Sequence, residues 1–145
     1  MISTIKYWFN WVAVLPISII AAVLITFPIH WILYFTLTGG PIPFITPYPE
    51  LPERIIQPFF SAAVFVRVAS LIAPKFKFIT AIIFSTLWIF ISGGSFVLGY
   101  LGYKYNYTQL NLSVGGLPVF FGVFGAAAGL YSISKELSEE TKNSI

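Results

Sequence analysis

His30 and Arg67 are the two side chains whose positions in the sequence suggest chemistry. His30 is the single histidine of the chain, and Arg67 is a cation inside an otherwise apolar segment. An imidazole changes its charge near neutral pH, so His30 could handle protons or sense pH. Arg67 could line a path that attracts anions, or it could bind a carbonyl or a carboxylate of a neighbouring subunit.

Both residues also have a purely structural interpretation. His30 follows Pro28 by two residues, at a helix end that would meet water, where a hydrogen-bonded histidine is ordinary. Arg67 precedes Lys75 by eight residues, which is about 12 Å along a helix, so its long side chain could reach the lipid headgroups. Because no acidic residue falls inside the apolar segments, we expect no acid of this chain to lie within the membrane and pair with Arg67.

The sequence carries no recognisable catalytic or cofactor-binding motif. A carboxylate pair inside an apolar segment, a GxSxG nucleophile elbow and a phosphate-binding glycine loop with its lysine are all missing. With one histidine and no cysteine, neither a multi-histidine metal site nor a bis-histidine haem site can form. The net charge of +3 is too small for nucleic-acid binding. We therefore expect no enzymatic activity, no cofactor and no nucleic-acid partner.

The composition indicates the solvent for which this chain is built. Hydrophobic residues make up 57% and charged residues 9% of its 145 residues, whereas soluble domains contain about 25% charged residues. A soluble fold of this size could not bury so much apolar surface. The sequence therefore predicts an all-α integral membrane protein of one domain, with the lipid bilayer as its first partner.

Charged residues divide the chain into four apolar segments, each long enough to cross a bilayer as a helix, which takes about 17–25 residues. The predicted spans cover about residues 7–37, 55–73, 78–103 and 112–134. They would form an antiparallel four-helix bundle over residues 1–135, followed by a polar cytoplasmic tail, 136–145. A cleaved signal peptide is the alternative for the first segment, but the apolar run continues without a convincing cleavage site.

Prolines predict where the helices are interrupted. Pro16 and Pro28 each remove one helical hydrogen bond, so the long first span should be kinked, with a second piece from Pro28 to Leu37. The proline-rich segment 39–54 should form an extended, stiff outer loop close to polyproline II. This loop is either a rigid spacer or a lid that docks a partner.

Lysine and arginine positions predict the orientation, because cytoplasmic loops of membrane proteins are enriched in both. With four spans, the side of the termini holds five cations: Lys6, Lys75, Lys77, Lys135 and Lys142. The other side holds two, Arg54 and Lys104. Both termini should therefore be cytoplasmic, in the plasma membrane (the inner membrane of a bacterium).

Two stripes of small residues indicate how the helices pack. The third and fourth spans carry them at the same offsets of 0, 3, 7 and 10, as Ser92, Ser95, Gly99 and Gly102 and as Gly122, Gly125, Gly129 and Ser132. Small residues let helix backbones approach closely within lipid. We expect the two stripes to pack against each other, with a contact to another subunit as the alternative.

Two functions fit these features. The first is a non-catalytic structural or partner subunit of a membrane complex, either a homo-oligomer or an assembly with another membrane protein. The second is a small oligomeric channel or transporter-like protein in which Arg67 lines an anion-attracting path.

Overall fold

The computed structural model describes residues 2–38, 50–104 and 112–143, which are almost entirely helical. The helices are α1 (Ile2–Leu24), α2 (Thr26–Thr38), α3 (Glu50–Ile72), α4 (Lys77–Lys104) and α5 (Leu112–Asn143). Within the described residues, four segments are long and apolar enough to cross a membrane: Tyr7–Thr36, Pro52–Ile72, Lys77–Gly102 and Gly116–Glu140. The predicted all-α class and the four long apolar helices are confirmed.

The break in the first apolar segment falls earlier than expected. Helical structure is interrupted at Ile25, between α1 and α2, and not between Phe27 and Pro28. A proline disturbs the turn that precedes it, because its ring crowds the carbonyl four residues earlier and its nitrogen has no hydrogen to donate. Thr26 Oγ1 donates to the Val23 carbonyl at 2.7 Å, which satisfies one acceptor at this break.

Helices α3 and α5 extend into the segments predicted as the outer loop and as the tail. Residues 50–54 belong to the first turns of α3, where Pro52 is tolerated because early helical N–H groups have no partner; residues 39–49 lie outside the described residues. At the other end, α5 continues to Asn143, well past the predicted end of the span at Ser134. Leu137 packs against the core, so the beginning of the tail belongs to the bundle.

Helix α3 is the centre of the fold, because it packs against each of the other four helices. Its buried stripe includes Ala62, Val66 and Ala69, at offsets of 0, 4 and 7, and Ala73, just after the last residue of α3, continues it. These small side chains lie on one helical face and let the neighbouring helices approach closely. Helices α4 and α5 also pack against each other, whereas in the described residues α1 approaches neither of them.

Candidate functional site

The arginine cluster, defined as Arg67, Ser132 and Glu136, joins α3 to α5. Arg67 Nη1 donates a hydrogen bond to Ser132 Oγ at 2.9 Å, and Nη2 lies 3.8 Å from Glu136 Oε2. Ser132 and Glu136 are one helical turn apart, so both present their side chains to the same neighbour. No acid was expected within the predicted spans to pair with Arg67, but α5 continues as a helix beyond the predicted span and carries Glu136 to it.

The cluster lies on the outer surface of the bundle. The side chains of Arg67 and Glu136 are 51% and 48% exposed. Among residues 52–72 of α3, the exposed ones are Phe60, Arg67 and Leu71, which lie within about 40° of one another around the helix. This strip faces the gap between α1 and α5, which do not pack against each other in the described residues.

Helix α5 completes this surface with residues at four-residue spacing: Ala128, Ser132 and Glu136. We call the surface of Phe60, Arg67 and Leu71 on α3 and of Ala128, Ser132 and Glu136 on α5 the α3/α5 face. Next to Phe60 the face opens into a recess of about 350 Å³, which is lined by Ile55, Ile56, Phe59, Phe60, Phe120, Phe121 and Phe124. The face is therefore aromatic at one end, small in the middle and charged at the other end.

His30 forms the second polar contact between helices. Its Nδ1 lies 3.1 Å from Oε1 of Glu53, whose side chain is 12% exposed. The His30 ring also stacks on Tyr34, with ring centroids 6.4 Å apart. The structure thus connects α2 to the beginning of α3 through a histidine–carboxylate pair, a contact that the sequence did not reveal because Glu53 was assigned to the loop.

The glycines of α5 pack against α3, and not against the stripe on α4. A methyl group on Gly125 would clash with the main chain of Phe59, and one on Gly129 would lie 2.9 Å from the Ala63 carbonyl oxygen. Gly122 faces α4, but it meets the indole of Trp88, whose Nε1 would lie 2.9 Å from an added methyl carbon. The partner of the α5 stripe is therefore mainly the small-residue surface of α3.

The stripe on α4 has a different environment from the expected one. Ser92 and Ser95 donate to the carbonyls of Trp88 and Ile91 in their own helix, each at 2.8 Å. The same two serines line a recess of about 300 Å³ together with Pro58, Trp88, Phe96, Pro118 and Val119. Gly102 is partly exposed, and the surroundings of Gly99 lie outside the described part of the chain. The expectation that the two stripes meet each other is therefore wrong.

A further apolar recess lies where α1 and α4 leave a gap over α3. Its volume is about 350 Å³, and its lining is Leu15, Ile19, Ala22, Val23, Thr26, Ser61, Phe65, Leu87, Trp88, Ile91 and Ser92. Most of these side chains are apolar, and the hydroxyl groups among them belong to Thr26, Ser61 and Ser92. In the ranges that the structure describes, no group of three or more His, Asp or Glu side chains is placed to hold a metal ion.

Comparisons with protein-family models, with curated proteins and with solved structures found no match.

Proposed function

We propose that this protein is a small multi-pass membrane protein that serves as a non-catalytic partner subunit of a membrane complex. Its four long apolar helices would cross the bilayer as an antiparallel bundle. Helices α3 and α4 support this arrangement, because Phe65 packs on Phe84 and Trp88 while Pro58, earlier in α3, lies near Ser95, later in α4.

The charges support cytoplasmic termini. Lys77, which follows the α3–α4 turn, shares a small recess with Glu136 and Glu140 of α5, so the turn and the end of α5 lie at the same end of the bundle. That end also carries Lys75, Lys135 and Lys142. Such a concentration of lysines is typical of the cytoplasmic side, and we place the bundle in the plasma membrane.

The observation that carries the partner-subunit proposal is the half-exposed arginine cluster on an otherwise apolar surface. A charged side chain facing lipid is unfavourable, by about 2.5–3.5 kcal/mol at the bilayer centre and less towards the headgroups. Arg67 lies five residues before the end of α3, about 8 Å from that end. A protein partner covering this surface would shield the guanidinium and the carboxylate from lipid.

The channel hypothesis has weaker support. An anion-attracting path needs a net positive charge, but Glu136 lies beside Arg67 and offsets its charge. The recess between α1 and α4 and the recess beside Phe60 are both lined mainly by apolar side chains. A pore would have to form between several copies, with Arg67 turned away from Glu136.

Purification of tagged protein in mild detergent tests the proposal. We expect a stoichiometric partner, either a second copy or another membrane protein, to remain bound to the wild type. Arg67→Ala should weaken this association, whereas Lys104→Ala, which changes a charge at the far end of α4, should preserve it. A wild-type protein that stays monomeric and without partner in native-lipid particles would contradict the proposal. Anion flux into proteoliposomes that is lost in Arg67→Ala would favour the channel instead.

A further inference from the structure

We infer that the partner covering the α3/α5 face is a second copy of this chain, related by a two-fold axis along the membrane normal. In this dimer, Arg67 of each copy faces Glu136 of the second copy. The inference rests on the proposed partner-subunit function and identifies the partner. It follows from three properties of the face: its position, its small residues and its paired charges.

The position of the face leaves room for another helix. Helix α3 is covered by its four neighbours except along the strip of Phe60, Arg67 and Leu71, where α1 and α5 stand apart. Phe60 is 46% and Leu71 55% exposed, so apolar side chains flank the guanidinium on both sides. A helix laid along this strip would bury apolar groups and the charged group together.

The small residues of α5 serve two different faces. Gly125 and Gly129 are in contact with the backbone of α3. Between them, Ala128 is exposed and lies on the α3/α5 face. Exposed small residues in the middle of a membrane helix let a second helix approach closely, which is how helices associate in lipid.

The α3/α5 face carries one positive and one negative side chain, so its charges can pair with those of a second copy. A two-fold axis along the membrane normal places identical residues at identical depth, and it brings residue i against residue j twice. Arg67 and Glu136 are neighbours within one copy and therefore lie at about the same depth in the membrane. Arg67 of one copy is thus level with Glu136 of the second copy, and Glu136 of the first with Arg67 of the second. The 3.8 Å between Nη2 and Oε2 is also longer than a charge-assisted hydrogen bond of about 2.7–2.9 Å. Both groups can therefore form an additional, shorter bond across the interface.

The same charges argue against two other occupants. An anionic lipid headgroup, or a partner helix with a lone acid, would satisfy Arg67 but would place its negative charge beside Glu136. Like charges brought together at an interface oppose binding. A partner that offers both signs at this depth avoids the conflict, and a second copy does so automatically.

Disulfide cross-linking in native membranes tests the contact, since the chain contains no cysteine. Ala128→Cys should give a covalent dimer on mild oxidation, because Ala128 lies in the middle of the face. The control is Phe90→Cys on α4, which is 80% exposed and lies away from the face. Equal cross-linking of both variants, or none with Ala128→Cys, would overturn this interface.

Charge exchange between two differently tagged copies tests the pairing itself. Arg67→Glu alone and Glu136→Arg alone each place like charges across the interface, so each should lower dimer formation about tenfold or more. Co-expression of the two variants should restore a mixed dimer, because every contact across the axis again joins opposite charges. A pair that acts only within one chain predicts no such rescue, and that result would overturn the inference.

The two proposals can fail separately. The wild type could bind a different membrane protein in stoichiometric amount through Arg67 without binding a second copy of itself. That result would overturn the dimer but would still support the partner-subunit function. A wild type without any partner would overturn both.

Discussion

At the scale of single residues, the arginine cluster and the His30–Glu53 pair bring charged or titratable side chains of different helices together, and Ser85 of α4 donates to the Ala126 carbonyl of α5. Arg67 was recognised from the sequence because it is a cation in an apolar segment, but its partner Glu136 was not. Glu136 follows Ser132 by one turn, so extending the small-residue stripe along the helix would have found it. Glu53 was missed for a related reason, since the prolines beside it suggested a loop although Pro52 fits a first helical turn.

His30 should stabilise the packing of α2 against α3. We expect His30→Ala to lower the free energy of unfolding by about 1–2 kcal/mol, because Glu53 loses a hydrogen-bond partner at a mostly buried position. Glu53→Gln should have a smaller effect, because the amide oxygen can still accept from Nδ1 of His30. Unfolding in a mild detergent titrated with a denaturing one measures both changes. Equal losses in the two variants would show that the ionic character of the pair, and not the hydrogen bond, matters.

At the scale of helices, the number and type of elements and the packing of α4 against α5 could be predicted from the sequence, but the central position of α3 could not. Apolar segments bounded by charges define four long helices because a bilayer-spanning helix has a fixed minimum length. Which helices pack together depends on the shapes of whole surfaces. The alanine stripe of α3 lacks the glycine–serine pattern that marks the stripes of α4 and α5. The sequence therefore predicted that the stripes of α4 and α5 contact each other, whereas the glycines of α5 contact α3.

Two glycine substitutions test how closely α5 packs against α3. Gly125→Ala should destabilise the protein by about 1–3 kcal/mol, since its methyl group meets the main chain of Phe59, which cannot rotate away. Gly94→Ala on α4 has no atom within 4 Å of the added carbon, so it should be neutral or stabilising by up to about 1 kcal/mol. Thermal unfolding in detergent measures both. Unchanged stability in Gly125→Ala would contradict the close contact between Gly125 and α3, and a large loss in Gly94→Ala would contradict the open surroundings of Gly94.

At the scale of the whole molecule, α3 lies among the four other helices. Arg67 lies on the strip of α3 that these neighbours leave exposed. Lys75, Lys77, Lys135 and Lys142 gather at one end, and the histidine–glutamate pair lies near the beginning of α3 at the other. A bundle with this polarity has a defined orientation in the membrane. The orientation of the dimer interface follows from it, because both copies must insert in the same direction for Arg67 and Glu136 to share one depth.

Labelling of single cysteines from either side of the membrane tests this orientation. Phe76→Cys in the α3–α4 turn and Lys142→Cys near the end of α5 should both react from the cytoplasmic side. Lys104→Cys should react from the outside, because α4 has 28 residues and is about 42 Å long, more than the roughly 30 Å of the hydrocarbon core. Wild-type protein, which has no cysteine, gives the background. Labelling of Phe76→Cys and Lys104→Cys from the same side would mean that α4 does not cross the membrane. The shared depth of Arg67 and Glu136 would then no longer support the proposed dimer.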